Sequence, residues 1–117
     1  MDNFTPVESV SELQITDLQL GDGQEVVAGD TVTVDYVGAV AATGKVFQSS
    51  KEFGQSISFG LNQVIAGWTQ GIPGMKIGGV RRLVIPSDMA YGANPPMGSG
   101  IPANAALVFD VTLHKIG

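Results

Sequence analysis

Apolar and polar positions alternate along most of this chain, and the period is two far more often than 3.6. Residues 31–40 place Val32, Val34 and Tyr36 on one face, the pattern of a half-buried strand. Near the end, Leu107, Phe109, Val111 and Leu113 alternate with Val108, Asp110, Thr112 and His114 in a closing strand. Ile57, Phe59 and Leu61 mark another strand, residues 80–85 a further one ended by Pro86, and Val46-Phe47 begins a short one. Residues 13–20 carry Leu13, Ile15, Leu18 and Leu20, so the alternation slips once, which predicts a bulge or irregular bend. Only residues 63–71 read as a helix. Val64, Ile65 and Trp68 share its face, Asn62 is the expected N-cap, and Gly71 with Pro73 stops it within about two turns.

Glycine-bearing turns at Gly21-Asp22-Gly23, Gly44 and Gly78-Gly79 separate these elements. Their sum is an α+β domain, an antiparallel sheet with one short helix covering a face. Residues 92–105 (GANPPMGSGIPANA) form a long loop rich in proline and glycine, and such loops in small domains usually serve function. Residues 1–12 are polar and aperiodic and read as a flexible N-terminal segment or linker remnant, which assigns 13–117 to the folded domain.

Composition narrows the chemistry. A chain of 117 residues with 44% hydrophobic content is one domain with a genuine core. Net charge is −5, and only Arg81-Arg82 concentrates positive charge, so a phosphate-neutralising nucleic-acid face is not expected. No apolar run approaches the roughly 20 residues that span a bilayer, and the first residues lack the basic and apolar regions of a signal peptide. A cytoplasmic location is the default reading, although an excised domain of an exported protein would look the same. Cysteine is absent, which removes disulfides and thiolate chemistry.

Metal and hydrolase readings fare poorly. His114 is the only histidine, with no ligand set at useful spacing, and Asp22-Gly23 lacks the oxygen series of a calcium loop. Ser49, Ser50, Asp110 and His114 supply the residue types of a triad, but strand parity turns Asp110 and His114 toward water. No nucleophile elbow or phosphate loop is present. The remaining material is aromatic: Tyr36, Phe47, Phe59, Trp68, Tyr91 and Phe109. Phe59 reads as core. Trp68 carries an N–H that is costly to bury without a partner, and Tyr91 stands at the mouth of the long loop. Core and apolar ligand pocket both remain open on residue types alone.

Specific strings go further. Val34-Asp35-Tyr36-Val37-Gly38, then Gly44-Lys45-Val46-Phe47-Gln48-Ser49-Ser50, resembles the Tyr-x-Gly and Gly-x-x-Phe-Asp-Ser-Ser pattern of the FKBP family. Val64-Ile65-Ala66-Gly67-Trp68 is similar to its Val-Ile-x-Gly-Trp helix entry, and Gly74-Met75-Lys76-Ile77-Gly78-Gly79 to its Met-x-x-Gly turn. Ile85-Pro86, Ala90-Tyr91-Gly92 and the ending Ile101-Pro102-Ala103-Asn104-Ala105-Ala106-Leu107-Val108-Phe109-Asp110-Val111 complete an ordered match over residues 13–116.

The resemblance implies a five-stranded antiparallel sheet curved around one short helix, and peptidyl-prolyl cis/trans isomerase (rotamase) activity without a cofactor. It implies a pocket floored by Trp68 and walled by Tyr36, Phe47, Val64, Ile65, Tyr91, Ile101 and Phe109. In that pocket the Ile65 N–H and the Tyr91 hydroxyl would bond ligand carbonyls. Implied partners are proline-containing peptides and unfolded proteins, together with the macrolides tacrolimus and rapamycin. A monomer is expected, with no nucleic acid or membrane partner. Two positions depart from the pattern. Gln48 stands in place of the usual aspartate, which implies weaker activity or drug affinity and keeps a non-catalytic proline-peptide or macrolide-binding module as the alternative. Gln55 stands where a wall phenylalanine is common, implying a more polar rim.

Overall fold

Alternating side chains need a partner layer on one face only, and the chain meets that need by wrapping one sheet over one helix. The computed structural model describes residues 6, 7, 10–50, 56–95 and 97–116. In chain order the elements are β1 (Gln14–Gln19), β2 (Thr31–Val40), β3 (Val46–Ser49), β4 (Ile57–Gly60), α1 (Ala66–Gly71), β5 (Val80–Ile85) and β6 (Leu107–Ile116). A 3-10 turn, Ser87–Met89, follows Pro86. The sheet runs β1-β5-β6-β2-β3, all antiparallel, and β4 also pairs with β2.

The expected five strands become six segments in five positions. One side of β2 lies along β6. On the other side β4 pairs with residues 31–34 and β3 with residues 37–39, so two short strands share the edge position. Between them, Asp35 and Tyr36 have no strand neighbour on that side among the described residues.

Parity sorts the core as the alternation predicts. Val32, Val34, Leu83, Leu107, Val111 and Leu113 are fully buried on the inner face, where α1 packs. Burying each such side chain is worth about 1.5–3 kcal/mol, so this strip is the main source of stability. Helix and sheet meet through glycine: a Cβ at Gly67 would stand 2.5 Å from Ile85 Cδ1, and one at Gly71 2.8 Å from Leu83 Cδ2. On the outer face Ala39, Val84 and Val108 form a small cluster that Val10 joins. Val7 N–H donates to the Ala41 carbonyl at 2.8 Å.

The slip expected in residues 13–20 is a register shift between Asp17 and Gln19 in the β1–β5 pairing. Arg81 ties this edge strand to the helix end. Its Nε donates to Asp17 Oδ1 at 2.7 Å, and its Nη1 donates to the Gly71 carbonyl at 2.9 Å.

Asn62 is not the helix cap. The chain first turns, with Gln63 N–H donating to the Gly60 carbonyl at 2.9 Å, and α1 starts only after the extended Ile65 (φ −59°, ψ 151°). Backbone bonds and the Thr69 hydroxyl, which donates to the Leu61 carbonyl at 2.7 Å, hold this entry in place of a side-chain cap.

Candidate active site

Trp68 follows the glycine contact on α1, and its indole is thereby pressed toward the inner face of the sheet. Three rings meet it edge to face: Phe59 at 5.2 Å, Phe109 at 5.4 Å and Tyr36 at 5.5 Å between centroids. Interplanar angles of 75°, 89° and 84° match the quadrupole preference of aromatic pairs, each worth about 0.5–1.5 kcal/mol beyond area burial. The rings therefore form stiff walls. They border an open cavity of about 400 Å³ that Trp68 also lines.

Seven of the sequence-predicted residues line this cavity: Tyr36, Gln48, Val64, Ile65, Trp68, Tyr91 and Phe109. Phe47 and Ile101 do not. The Phe47 ring packs edge-on behind Phe109 at 5.8 Å, and Ile101 is buried in the core. Gly38 makes that backing possible, because a Cβ there would stand 2.6 Å from Phe109 Cε1 and 2.9 Å from Phe47 Cζ. Gln55 lies outside the described residues.

Two lining residues escape the sequence reading. Phe59 was expected in the core; it does pack against it, but its ring also borders the cavity. Its inward parity with Val32, opposite in the β2–β4 register, was the available signal. Gln63 borders the cavity from the turn before α1, where no periodicity marks it.

The polar content of the cavity is small and neutral. Gln48, Gln63 and the phenols of Tyr36 and Tyr91 are its polar side chains beside the Trp68 indole, and among the described residues no carboxylate, imidazole, amine or guanidinium lines it. Ile65 N–H has no partner among the described residues, while its carbonyl accepts from the N–H groups of Trp68 and Thr69. Trp68 Nε1 is buried and likewise without a partner among the described residues. Shifted charges belong to the outer face. Asp110 hydrogen-bonds Arg82 at 2.7 Å and raises its pKa above the ordinary value, fixing a cross-strand pair. Asp35 is held below the ordinary carboxylate value, first by His114 and then by Ser50. Among the described residues no group of three or more His, Cys, Asp or Glu side chains is placed to hold a metal ion.

A small curved sheet over a short helix, enclosing an aromatic cavity with neutral hydrogen-bonding groups at its rim, defines a receptor for an apolar ring carrying carbonyls. Residues 22–114 match the family model described as FKBP-type peptidyl-prolyl cis-trans isomerase. The chain belongs to that family. It is 48% identical over 103 residues to a probable FK506-binding protein of Corynebacterium glutamicum, covering 87% of this chain and 85% of that one. It is 46% identical over 114 residues to FK506-binding protein 4 of Gibberella zeae, covering 96% of this chain but only 22% of that longer protein. Among solved structures, a peptidyl-prolyl cis-trans isomerase from Pseudomonas syringae pv. tomato superposes with a TM-score of 0.81 at 37% identity, covering 95% of this chain and 80% of that one.

Proposed function

We propose that this protein catalyses cis/trans isomerisation of X–Pro bonds in peptides and folding proteins, by binding the twisted amide in the Trp68 cavity. Residues 13–117 form the isomerase domain in this reading, and residues 1–12 lead into it. The barrier to rotation, about 18–20 kcal/mol, comes from amide resonance. At the twisted geometry that resonance is lost and the carbonyl carries less charge. A dry aromatic cavity penalises this less polar state less than the planar amide, so the preference itself lowers the barrier.

The observation that carries the reading is the stiff three-ring wall around Trp68 with the Ile65 N–H, unpartnered among the described residues, beside it. The rings grip the pyrrolidine. Ile65 N–H and the Tyr91 hydroxyl, 37% exposed as a residue, donate to carbonyls on either side and hold the chain bent. Gln48 offers an uncharged donor and acceptor at the rim. No nucleophile or cofactor takes part. Tacrolimus and rapamycin occupy the same cavity through the same groups.

A protease-coupled or NMR exchange assay on a proline peptide tests the activity, with acceleration expected at micromolar protein. Rates equal to buffer would remove the enzyme reading. Quenching of Trp68, the only tryptophan, on titration with rapamycin tests the cavity independently.

A further inference from the structure

Asp35 and Tyr36 are consecutive on β2 and face opposite ways. The Tyr36 ring stands in the cavity wall, whereas the Asp35 carboxylate lies on the outer face beside His114. Both sit at the gap where β4 pairing ends at Val34 and β3 pairing begins at Val37. A buried N–H at such a gap lacks a ladder acceptor. The Ser50 hydroxyl takes that place: Tyr36 N–H donates to Ser50 Oγ at 3.0 Å, and Ser50 Oγ–H donates to Asp35 Oδ1 at 2.9 Å. Asp35 Oδ2 meets His114 Nε2 at 2.7 Å, and Ser56 hydrogen-bonds the same carboxylate. One carboxylate thus holds the backbone of a cavity-wall residue and both flanks of residues 51–55. Gln48 lies two residues before Ser50.

We propose that Asp35, braced by His114, is a positioning residue for the isomerisation, setting Tyr36 in the cavity wall and Gln48 at its rim through Ser50 and Ser56. The inference rests on the isomerase reading above. An ionised carboxylate accepts the single Ser50 proton and so turns the hydroxyl lone pairs to the Tyr36 N–H. His114 Nε2 meets the other oxygen of the same carboxylate and fixes its orientation. Around this pair, β2 contributes Thr33, β4 contributes Ser58, and β6 contributes Asp110, Thr112 and Lys115, with Lys115 opposite Thr33 in the register. Thr33 and Ser58 are neutral and bonded to each other, and Asp110 is paired with Arg82 of β5.

The test compares wild type, Asp35→Ala, Asp35→Asn, His114→Gln and, as a control, Arg82→Met, which breaks the other cross-strand pair on this face. Asp35→Ala should lower kcat/KM about fivefold, the scale of one lost hydrogen bond, and Asp35→Asn should recover part of it, since its amide oxygen still accepts from Ser50. Amide exchange of Tyr36, read by NMR, should quicken by a similar factor in Asp35→Ala while that of Val111 in the sheet stays unchanged. His114→Gln should lower kcat/KM less than Asp35→Ala, because Ser50 still donates to the Asp35 carboxylate when the imidazole is gone. Arg82→Met should lower the melting temperature and leave both kcat/KM and the Tyr36 exchange intact. With an active wild type, an Asp35→Ala variant that matches Arg82→Met in every readout would overturn this inference alone. An inactive wild type would instead defeat the isomerase reading beneath it.

Discussion

Replacing Gly67 by alanine should damage stability and activity together. The added Cβ would stand 2.5 Å from both Ile85 Cδ1 and Cγ2 and 2.7 Å from Cγ1, against the roughly 3.5–4.0 Å at which carbon atoms rest. Ile85 is fully buried in the β5–β6 pairing, so it has no open space to swing into. The helix must therefore retreat by about 1 Å, the difference between those separations. Overpacking of this kind costs about 1–3 kcal/mol, and alanine in a helix returns up to about 1 kcal/mol relative to glycine. Overpacking wins, leaving a net loss of about 1–2 kcal/mol, or roughly 4–8 °C in melting temperature for a domain this size.

Trp68 is the next residue, so the same retreat moves the cavity floor. A displacement near 1 Å at a reacting site lowers rate by up to about a hundredfold, and kcat/KM should fall at least tenfold at a temperature where the variant is folded. Thermal unfolding followed by circular dichroism and the proline-peptide assay measure the two effects. Gly71→Ala is the internal comparison: its Cβ would meet the ends of the Leu83 side chain at 2.8 and 3.1 Å, a milder conflict, so it should do less on both counts. Gly67→Ala with stability within about 0.5 kcal/mol of wild type, the range of an ordinary surface change, would refute the packing argument.

Three further outcomes are expected. Gln48→Asp should raise kcat/KM or tighten rapamycin binding about fivefold, because hydrogen bonds to a charged group are worth about 1 kcal/mol more than neutral ones; no gain in either assay removes the assigned role of that position. Tyr91→Phe should raise KM about three- to tenfold, the loss of one neutral hydrogen bond, and an unchanged KM would show that the phenol does not touch substrate. Asp35 titrates below its ordinary value in the folded chain, so its contribution is present above the unfolded carboxylate pKa, near 4, and disappears as acid protonates it. Melting temperatures of wild type and Asp35→Asn should accordingly differ at pH 6 and converge toward pH 3, and a gap that widens in acid would reverse the assigned sign.

The alternation of residues 31–40 and 107–113 was enough to orient the core, because a period of two assigns each side chain to a face once one face is buried. Tyr36 and Phe109 were legible for the same reason, Trp68 by its place on the short helix and its indole N–H, and their family strings added the cavity. Periodicity says which way a ring points, not whether other chain covers it, and Phe59 was therefore assigned to the core alone. Phe47 shows the converse. Its ring turns inward, but the bare backbone at Gly38 lets it slide behind Phe109 and support the wall without facing the cavity. Asn62 misled because an N-cap propensity is local, whereas the helix start is set by the Gly60–Gln63 turn and the Thr69–Leu61 bond. The Ser50 hydroxyl filling a ladder gap has no sequence period at all.

The glycine contacts and the catalytic proposal share one physical cause. A cavity that lowers a rotational barrier by preferring a twisted amide must not relax around the planar one, since equal accommodation of both leaves the barrier where it was. Stiffness is supplied by edge-to-face rings, and those rings hold their places because Gly38 and Gly67 let ring and helix press directly onto backbone and Ile85. Larger residues at either point would separate the layers or push a ring toward the open space. The contacts that stabilise the fold are therefore the same contacts that keep the cavity selective, and this is why an uncharged site without a nucleophile suffices for the reaction.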